Sequence, residues 1–442
     1  MKNIKLLSLV FFILSFSCSF FLQKSFAEQI KLSEESPQES SSENLIKKTG
    51  LLTLKEALSL ALENNHHIKS AIATLPVQEA NLIIAKYRPN PIINSNNEFV
   101  KGGSIHPLQV GQTLELGKKR HWRIEVAKEQ ISKTELEIAK VLWEIHTQVH
   151  IGYSDLASGL ELFNLAKGRI DFYKSLLDVA QKRFTAGDIS QLELDRANMQ
   201  LLSAENELSS AEGRLKKSKV DFNHALGLSP DSDITLSDIE ESKPKIKLNE
   251  YKGIDKILDT ALAKRLEIAI LEKDFGITRA QLKKARWERI PNLYVEGAVV
   301  KPSFRDNIWG PYFGGQFELP VFNRKQGEIK QAKAQIEYLQ KEEERIKHDI
   351  GIDVANALHD VEIREQQIQR FQEKLLTSSE NILEMIKTAY EKGKLSLTDV
   401  LNAEQQNRDL QQSYLESLLN YQVALASLEY ATGVPLYGLT EE

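Results

Sequence analysis

Few residues in this chain have the types and spacing that catalysis or metal binding requires. His146 and His150 stand four residues apart, so a helix would place both imidazoles on one face. Two imidazoles can begin a zinc or copper site, but the sequence offers no evident third ligand, and the pair stays incomplete. We find no Ser/His/Asp set, no phosphate-binding loop and no paired carboxylates beside a cleft. We therefore predict no enzyme activity and no cofactor.

Composition excludes further classes of protein. The 442 residues carry a formal net charge of −5, which argues against a nucleic-acid-binding protein. The single cysteine, Cys18, excludes a disulfide framework and a thiolate metal site. Charged residues make up 27% of the chain and aromatic residues only 7%. This balance favours long helices with solvated faces over a compact globule.

Residues 1–27 have the pattern of a secretory signal peptide. A basic start precedes an apolar run from Leu6 to Leu22, and a small residue, Ala27, offers the cleavage point. Lipidation of Cys18 is the alternative to cleavage, and either route exports the protein. Residues 28–50 are rich in Ser, Glu and Lys and are predicted to form a disordered arm.

A heptad seam occurs twice in the chain. Large residues stand seven apart along one edge, and small residues follow three positions later: Leu194, Leu201, Leu208, Leu215 and Phe222, then Ala197, Ala204, Ala211, Ser218 and Ala225. The seam recurs 206 residues later, from Val400 to Leu428. Such a seam needs a closely packed partner helix, and its recurrence indicates a two-fold internal repeat.

Each repeat is predicted to contain a strand hairpin and a long helical hairpin. The repeats span residues 51–228 and 254–436, with a linker over 229–253 and a tail over 437–442. Period-two alternation, as in Leu108, Val110 and Leu114, marks the strands. The predicted strands are residues 92–100, 107–116, 292–300 and 311–319, and the predicted long helices are 118–183, 190–226, 324–390 and 396–432.

Shorter elements precede each hairpin. Thr53 and Glu56 form a predicted capping box at the first helix, and a second helix is predicted to run to about Tyr87 before Pro89 stops it. Residues 101–104 are predicted to be the turn of the first strand hairpin.

Four two-faced strands cannot close a membrane barrel, because the smallest such barrels have eight strands and lipid does not tolerate open edges. A ring of identical chains solves this problem, and three chains would give twelve strands continued by twelve long helices. The residues alone leave an alternative open, a soluble two-hairpin coiled coil with its strands packed on a helical face.

The chain resembles the TolC family of outer-membrane efflux channels over about residues 52–436. The resemblance rests on the repeat, on Arg-Pro-Asn-Pro at 88–91, on the run at 111–120, on Leu-Pro-Val-Phe-Asn-Arg at 319–324, and on the turn sequences ending at Gly187 and Gly393. The Glu-Leu-Gly-Lys-Lys run within 111–120 is most similar to the heavy-metal efflux branch, the CzcC and CusC type.

This resemblance implies a mainly α fold with a β-barrel portion in the outer membrane. Three chains would form a 12-stranded β-barrel continued by an α-helical barrel in the periplasm. The implied partners are outer-membrane lipid, a periplasmic adaptor protein and an inner-membrane RND-type transporter.

The resemblance also assigns expected roles to residues. The helix tips would dock the adaptor, through Arg183, Phe184, Gly187, Tyr390, Gly393 and Leu395. An acidic ring would narrow the pore, with Asp399 at the first family position and Asn402, not an acid, at the second. Glu193 is the equivalent position in the first repeat. Asp399 also has a structural interpretation, as a helix-start charge favourable to the dipole.

The substrate is left open by the sequence. Heavy-metal cations are the first expectation, and drugs or secreted polypeptides keep the same fold with another substrate. A periplasmic coiled-coil scaffold without a pore is the third possibility, which the four strands disfavour.

Overall fold

The computed structural model describes residues 52–95, 98–100, 103–105, 108–236, 254–300 and 310–435. The predicted signal peptide (1–27), the predicted arm (28–50), most of the linker and the C-terminal tail (437–442) lie outside the described residues. Among the described helices, none combines the length and the apolar character needed to cross a bilayer.

The first repeat begins with three short helices, α1 (Leu54–Asn64), α2 (His66–Ala73) and α3 (Leu75–Lys86). The predicted capping box is confirmed, because the Thr53 side chain accepts from the Glu56 amide and Glu56 accepts from the Thr53 amide. The single second helix that we predicted is wrong, since it divides at Thr74. Pro76 lies in the first turn of α3, where its missing N–H is tolerated, whereas in an unbroken helix that N–H would bond the Ile72 carbonyl.

The strands of the first repeat are β1 (Ile92–Ser95), β2 (Glu98–Val100), β3 (Gly103–Ile105) and β4 (Leu108–Leu114). β1 pairs with β4 and β2 pairs with β3, both antiparallel. The predicted turn over 101–104 is too long, because Gly103 and Ser104 already pair with β2. A glycine-rich run has no side-chain alternation, so the sequence does not mark where its pairing starts.

The strands of the second repeat, β5 (Leu293–Val300) and β6 (Gly310–Phe317), form the second hairpin. β4 pairs with β5, so the two hairpins join in one four-stranded sheet of order β1-β4-β5-β6. Each repeat therefore contributes two neighbouring strands of this sheet.

The helical hairpin of the first repeat consists of α4 (Lys119–Thr185) and α5 (Gln191–Leu226). α4 has 67 residues without a break. On α5 the small edge of the seam is the more buried one, with Ala197 and Ala204 exposed by only 1% and 2%. Small side chains let the partner helix approach closely, as the seam predicted.

The second repeat adds α6 (Ile254–Lys264), α7 (Leu266–Trp287) and a long helix in two parts, α8 (Gln326–Arg370) and α9 (Leu376–Glu391). A π-helical turn, Phe371–Leu375, separates α8 from α9, which the pattern over 324–390 did not indicate. The last helix, α10 (Leu397–Thr432), returns antiparallel to α9.

The contacts divide the chain into two compact units, which are described separately. The helical unit contains residues up to Ser70, Ala139–Arg265 and the residues from Asp349 onward, and the sheet unit contains Ala71–Ile138 and Leu266–His348. The core of the helical unit joins both helical hairpins, through Tyr173, Leu176, Ala180, Ala197, Ala204, Tyr390, Leu397 and Val400. A smaller core in the sheet unit packs Leu271 and Phe275 against Leu339.

Candidate pore sheet and helix tips

The four-stranded sheet has one polar and one apolar face. Register and alternation place polar side chains on the first face: Asn94, Gln109, Thr113, Tyr294, Glu296 and Gln316. A 3.3 Å hydrogen bond from Asn94 to the Tyr294 hydroxyl confirms that these residues share a face. The opposite face carries exposed apolar side chains: Ile93, Leu108, Val110, Leu114, Val299, Phe313 and Phe317.

This arrangement suits a wall between water and lipid. Phe313 is 83% exposed, and an apolar surface of several such side chains would be unfavourable in water. Within the described sheet, β1 and β6 each pair with one neighbour, so both flanks carry unpaired backbone groups.

The two helix tips are closed by the same backbone hydrogen bonds. Gly187 (φ +84°) and Gly393 (φ +71°) both adopt the left-handed region, which favours glycine. The Gly187 amide donates to the Phe184 carbonyl, and the Gly393 amide donates to the Tyr390 carbonyl, each at 2.9 Å. Both glycines are exposed, as a docking tip requires.

Arg183 and Tyr390 fasten one tip to the other. The Arg183 guanidinium donates to the Tyr390 carbonyl at 3.2 Å and lies 4.8 Å from the centroid of the Tyr390 ring. The Tyr390 side chain is fully buried, and burial raises the pKa of its hydroxyl. Phe184 is half-buried and Leu395 exposed, so Leu395 is the more accessible of these two side chains.

The predicted gate residues lie at the start of the returning helices. Asp399 accepts from the Ser396 amide at 2.9 Å and from its hydroxyl at 2.7 Å, and these hydrogen bonds lower the pKa of the carboxyl. Asp399 is therefore a charged helix-capping residue with an exposed side chain. Asn402 is exposed and Glu193 half-buried, and Glu193 donates its amide to the Ser190 hydroxyl.

A polar cluster between the two helical hairpins was not predicted from the sequence. The Tyr173 hydroxyl donates to Glu404, whose side chain is 5% exposed. Burial, and then this hydrogen bond, raise the pKa of Tyr173. Arg169 lies 2.6 Å from Glu207 and 3.9 Å from Glu404. The sequence signal for this cluster was an acidic residue beside the buried small edge of α10. A solvated helix face would give the same pattern.

His146 and His150 do not converge on a metal site. The Nδ1 atom of His150 lies 3.2 Å from the Glu429 carboxylate, and both side chains are buried. His146 stacks on Trp143 with ring centroids 5.0 Å apart, and burial lowers its pKa. Across the described part of the chain, no group of three His, Cys, Asp or Glu side chains could hold a metal ion.

A groove runs beside the second tip. It has a volume of about 680 Å³ and is lined by residues of α9 and the following turn, among them Asn381, Glu384, Met385, Thr388, Lys392 and Lys394. Met385 is 64% exposed. The groove combines two apolar side chains, Met385 and Ala389, with charges of both signs.

Comparison with known proteins gives a consistent result. The family model described as "outer membrane efflux protein" matches residues 57–228 and 257–434. The cobalt-zinc-cadmium resistance protein CzcC of Cupriavidus metallidurans is 25% identical over 358 residues, which cover 80% of this chain and 84% of CzcC.

Solved structures show the same fold. A crystal structure of CusC superposes with a TM-score of 0.72 at 19% identity, covering 90% of this chain and 96% of CusC. The open state of the Neisseria gonorrhoeae MtrE outer membrane channel gives a TM-score of 0.68 at 17% identity, covering 88% and 91%. The Campylobacter jejuni CmeC outer membrane channel gives 0.69 at 16% identity, covering 93% and 92%.

Proposed function

Because the chain belongs to the outer membrane efflux protein family, we propose that it is the outer-membrane duct of a tripartite efflux system that exports heavy-metal cations. The family places the protein in the outer membrane. The proposal goes further, to the assembly, the partners and the substrate. The observation that carries it is the two-faced sheet with an unpaired edge on each flank.

The sheet edges support a ring of copies. In lipid, each unpaired backbone group costs several kcal/mol, so an open edge must be paired. β6 of one copy can pair with β1 of the next copy. A closed ring forms when the rotation from one copy to the next divides a full turn evenly. Three copies give twelve strands, with the apolar faces toward lipid and the polar faces toward a water-filled lumen. This stoichiometry follows the family resemblance.

The substrate proposal rests on the relative named for cobalt, zinc and cadmium resistance. Heavy-metal cations cross such a duct without a resident binding site, because the duct has only to provide an aqueous, polar path. Glu296 on the polar face would favour cations over anions in that path. This role involves no catalytic step.

The helix tips are the proposed docking surface for a periplasmic adaptor, which in turn meets a proton-driven inner-membrane transporter. Gly187, Gly393 and Leu395 are accessible there. Arg183 and Tyr390 would contribute indirectly, by fixing the distance between the two tips.

Asp399 is the proposed gate residue. Its lowered pKa keeps the carboxylate charged at neutral pH, and symmetry would repeat that charge around the pore. The experiment compares single-channel conductance and cation preference of wild type and Asp399→Asn in planar bilayers. We expect the variant to have a weaker cation preference, with the remainder supplied by Glu296.

A matched variant separates the charge from the cap. Ser396→Ala removes the hydroxyl of the cap and keeps the carboxylate, so it should preserve the cation preference. Equal cation preference in wild type and Asp399→Asn would move the gate elsewhere. Absence of conductance, from protein that stays soluble without detergent, would contradict the duct and favour a periplasmic scaffold.

A further inference from the structure

The four connections between strands and helices meet at one end of the sheet. With the adjoining ends of α3, α4 and α7 they comprise residues 86–91, 115–120, 286–292 and 318–325, which we call the junction belt. The strand pairing places them together, because Leu114 pairs with Leu293 and Leu293 with Phe317. All four belong to the sheet unit.

Some basic side chains of this region hold the fold together. Lys119 Nζ lies 2.5 Å from the Asn292 side-chain oxygen, and Arg120 donates to the Lys86 carbonyl at 2.8 Å. Just beyond the belt, Arg123 donates to the Tyr87 carbonyl at 2.8 Å and pairs with Glu115. These contacts close the end of α3 and fix the connections against each other.

The belt carries more positive charge than these contacts use. It contains nine basic and three acidic residues, in a chain whose net charge is −5. Six of the basic side chains are exposed and form no ion pair with any residue that the structure describes: Lys86, Arg88, Lys118, Arg286, Arg289 and Arg324. Their charges therefore face outward and remain available to an external anion.

Large apolar side chains lie among these cations. Phe322 is 92% exposed, Leu319 71% and Tyr87 63%. By alternation, Leu116 and Leu319 extend the apolar face of the sheet beyond its last paired residues. The belt is thus continuous with the surface that we assign to lipid, and it adds positive charge where that surface ends.

We propose that the junction belt binds the anionic phospholipid headgroups of the periplasmic leaflet of the outer membrane. Aromatic and long basic side chains suit the boundary between hydrocarbon and water. Clustered Lys and Arg at that boundary attract anionic lipid. The inference rests on the proposed passage of the sheet through the membrane. It places the junction belt at the level of the headgroups and so fixes how deep the sheet lies in the bilayer.

The test measures phospholipid binding to the purified full-length protein in zwitterionic detergent by native mass spectrometry. Dioleoylphosphatidylglycerol is compared with dioleoylphosphatidylcholine, which has the same acyl chains and no net charge. We expect wild type to prefer phosphatidylglycerol. We also expect this preference to fall at least about tenfold when four of the six cations are removed together, in Lys86→Gln/Arg88→Gln/Lys118→Gln/Arg289→Gln.

Two further variants make the result specific. The charge-retaining set Lys86→Arg/Arg88→Lys/Lys118→Arg/Arg289→Lys should keep the preference and shows that loss of charge, not misfolding, is responsible. A control set neutralises four exposed lysines of the helical unit and should also keep it: Lys69→Gln/Lys167→Gln/Lys174→Gln/Lys217→Gln.

Three results would overturn the proposal. They are equal binding of both lipids by wild type, an equal loss in the control set, and displacement of phosphatidylglycerol by inorganic phosphate, which would assign the cations to a free anion. Single-channel conductance distinguishes failure of the lipid-binding proposal from failure of the proposed duct function. A conducting wild type without headgroup preference contradicts the belt alone, and a non-conducting wild type contradicts the duct.

Discussion

The two repeats share the backbone of their helix tips and differ in the side chains placed on it. Both tips have a left-handed glycine with the same hydrogen bonds, and a serine then caps the returning helix at nearly the same backbone angles. Only the second tip has a reciprocal capping box, from Ser396 and Asp399.

The repeats are also complementary where they meet. Across the hydrogen bonds named above, the first repeat supplies the donors Tyr173 and Arg183, and the second supplies the acceptors Glu404 and the Tyr390 carbonyl. The ion pairs run both ways, since Arg169 lies 3.9 Å from Glu404 and Arg408 lies 3.9 Å from Glu207. The comparison teaches that glycines and heptads preserve a symmetric backbone. Unequal side chains then make the polar contacts that join the two hairpins.

The largest expected effect comes from the polar cluster between the hairpins. Glu404→Ala should lower the free energy of unfolding by about 3 kcal/mol, because it leaves the buried Tyr173 hydroxyl without its acceptor and removes one of the two carboxylates beside Arg169. Denaturant titration of the detergent-solubilised protein measures this. The equivalent position of the first repeat is the exposed Asn198, and Asn198→Ala should change stability by less than about 0.5 kcal/mol. Equal effects at both positions would contradict the asymmetry.

A second prediction compares two neighbouring asparagines at the end of α1. Asn65 donates to the Ala225 carbonyl at 2.8 Å and accepts from the His67 amide at 2.8 Å, so it serves two helices. Asn65→Ala should cost about 2 kcal/mol of unfolding free energy. The adjacent Asn64→Ala, which loses one contact within its own helix, should cost clearly less. Similar losses in the two variants would show that Asn65 does not join α1–α2 to α5.

The two helix tips should lose similar stability when their glycines are replaced. Gly187→Ala and Gly393→Ala each force a Cβ atom into the left-handed region and should each cost about 1 kcal/mol. Space is not the cause, since nothing lies within 4 Å of a Cβ at Gly187 and only Arg183 approaches one at Gly393. Thermal unfolding of the two variants tests the shared backbone. A large loss in one variant alone would show that the tips differ.

The smallest effect is a pH dependence in the first repeat. Burial lowers the pKa of His146, so the unfolded chain binds a proton more readily than the folded one. This stability is complete above the unfolded pKa of about 6.5 and declines as pH falls below it. His146→Phe should remove that part of the decline, whereas the exposed His66→Phe should not. A profile unchanged by His146→Phe would contradict this assignment.

The sequence predicted those features that periodicity encodes. The seam from Leu194 to Phe222 required a closely packed helix, and the alternation from Leu108 to Leu114 required a two-faced strand, and both are present. The family, the outer-membrane location and the fold class followed from motifs at the strand–helix junctions and tips, and the comparisons confirm them.

The sequence alone could not predict contacts between residues that are far apart in the chain. Tyr173 and Glu404 lie 231 positions apart, and neither breaks its helical pattern, so nothing local marks their contact. The break at Thr74 and the π turn at Phe371 were also not marked in the sequence. Leu375 and Ile382 continue the heptad spacing of the buried Ile368, but from the end of the π turn onward they are exposed. At the candidate gate, the sequence indicated a helix-start charge at Asp399, and the structure adds the hydrogen bonds that its carboxylate accepts from the Ser396 amide and hydroxyl.

The central claim is that a second copy pairs the open edges of the sheet, and cysteine cross-linking tests it directly. Asn94→Cys on β1 is combined in turn with Tyr312→Cys, Gly314→Cys or Gln316→Cys on β6, all on the polar face. We predict that one register gives covalent trimers from outer membranes under mild oxidation, and that Asn94→Cys alone gives none. Monomers in every combination would contradict a ring of copies closed through β1 and β6.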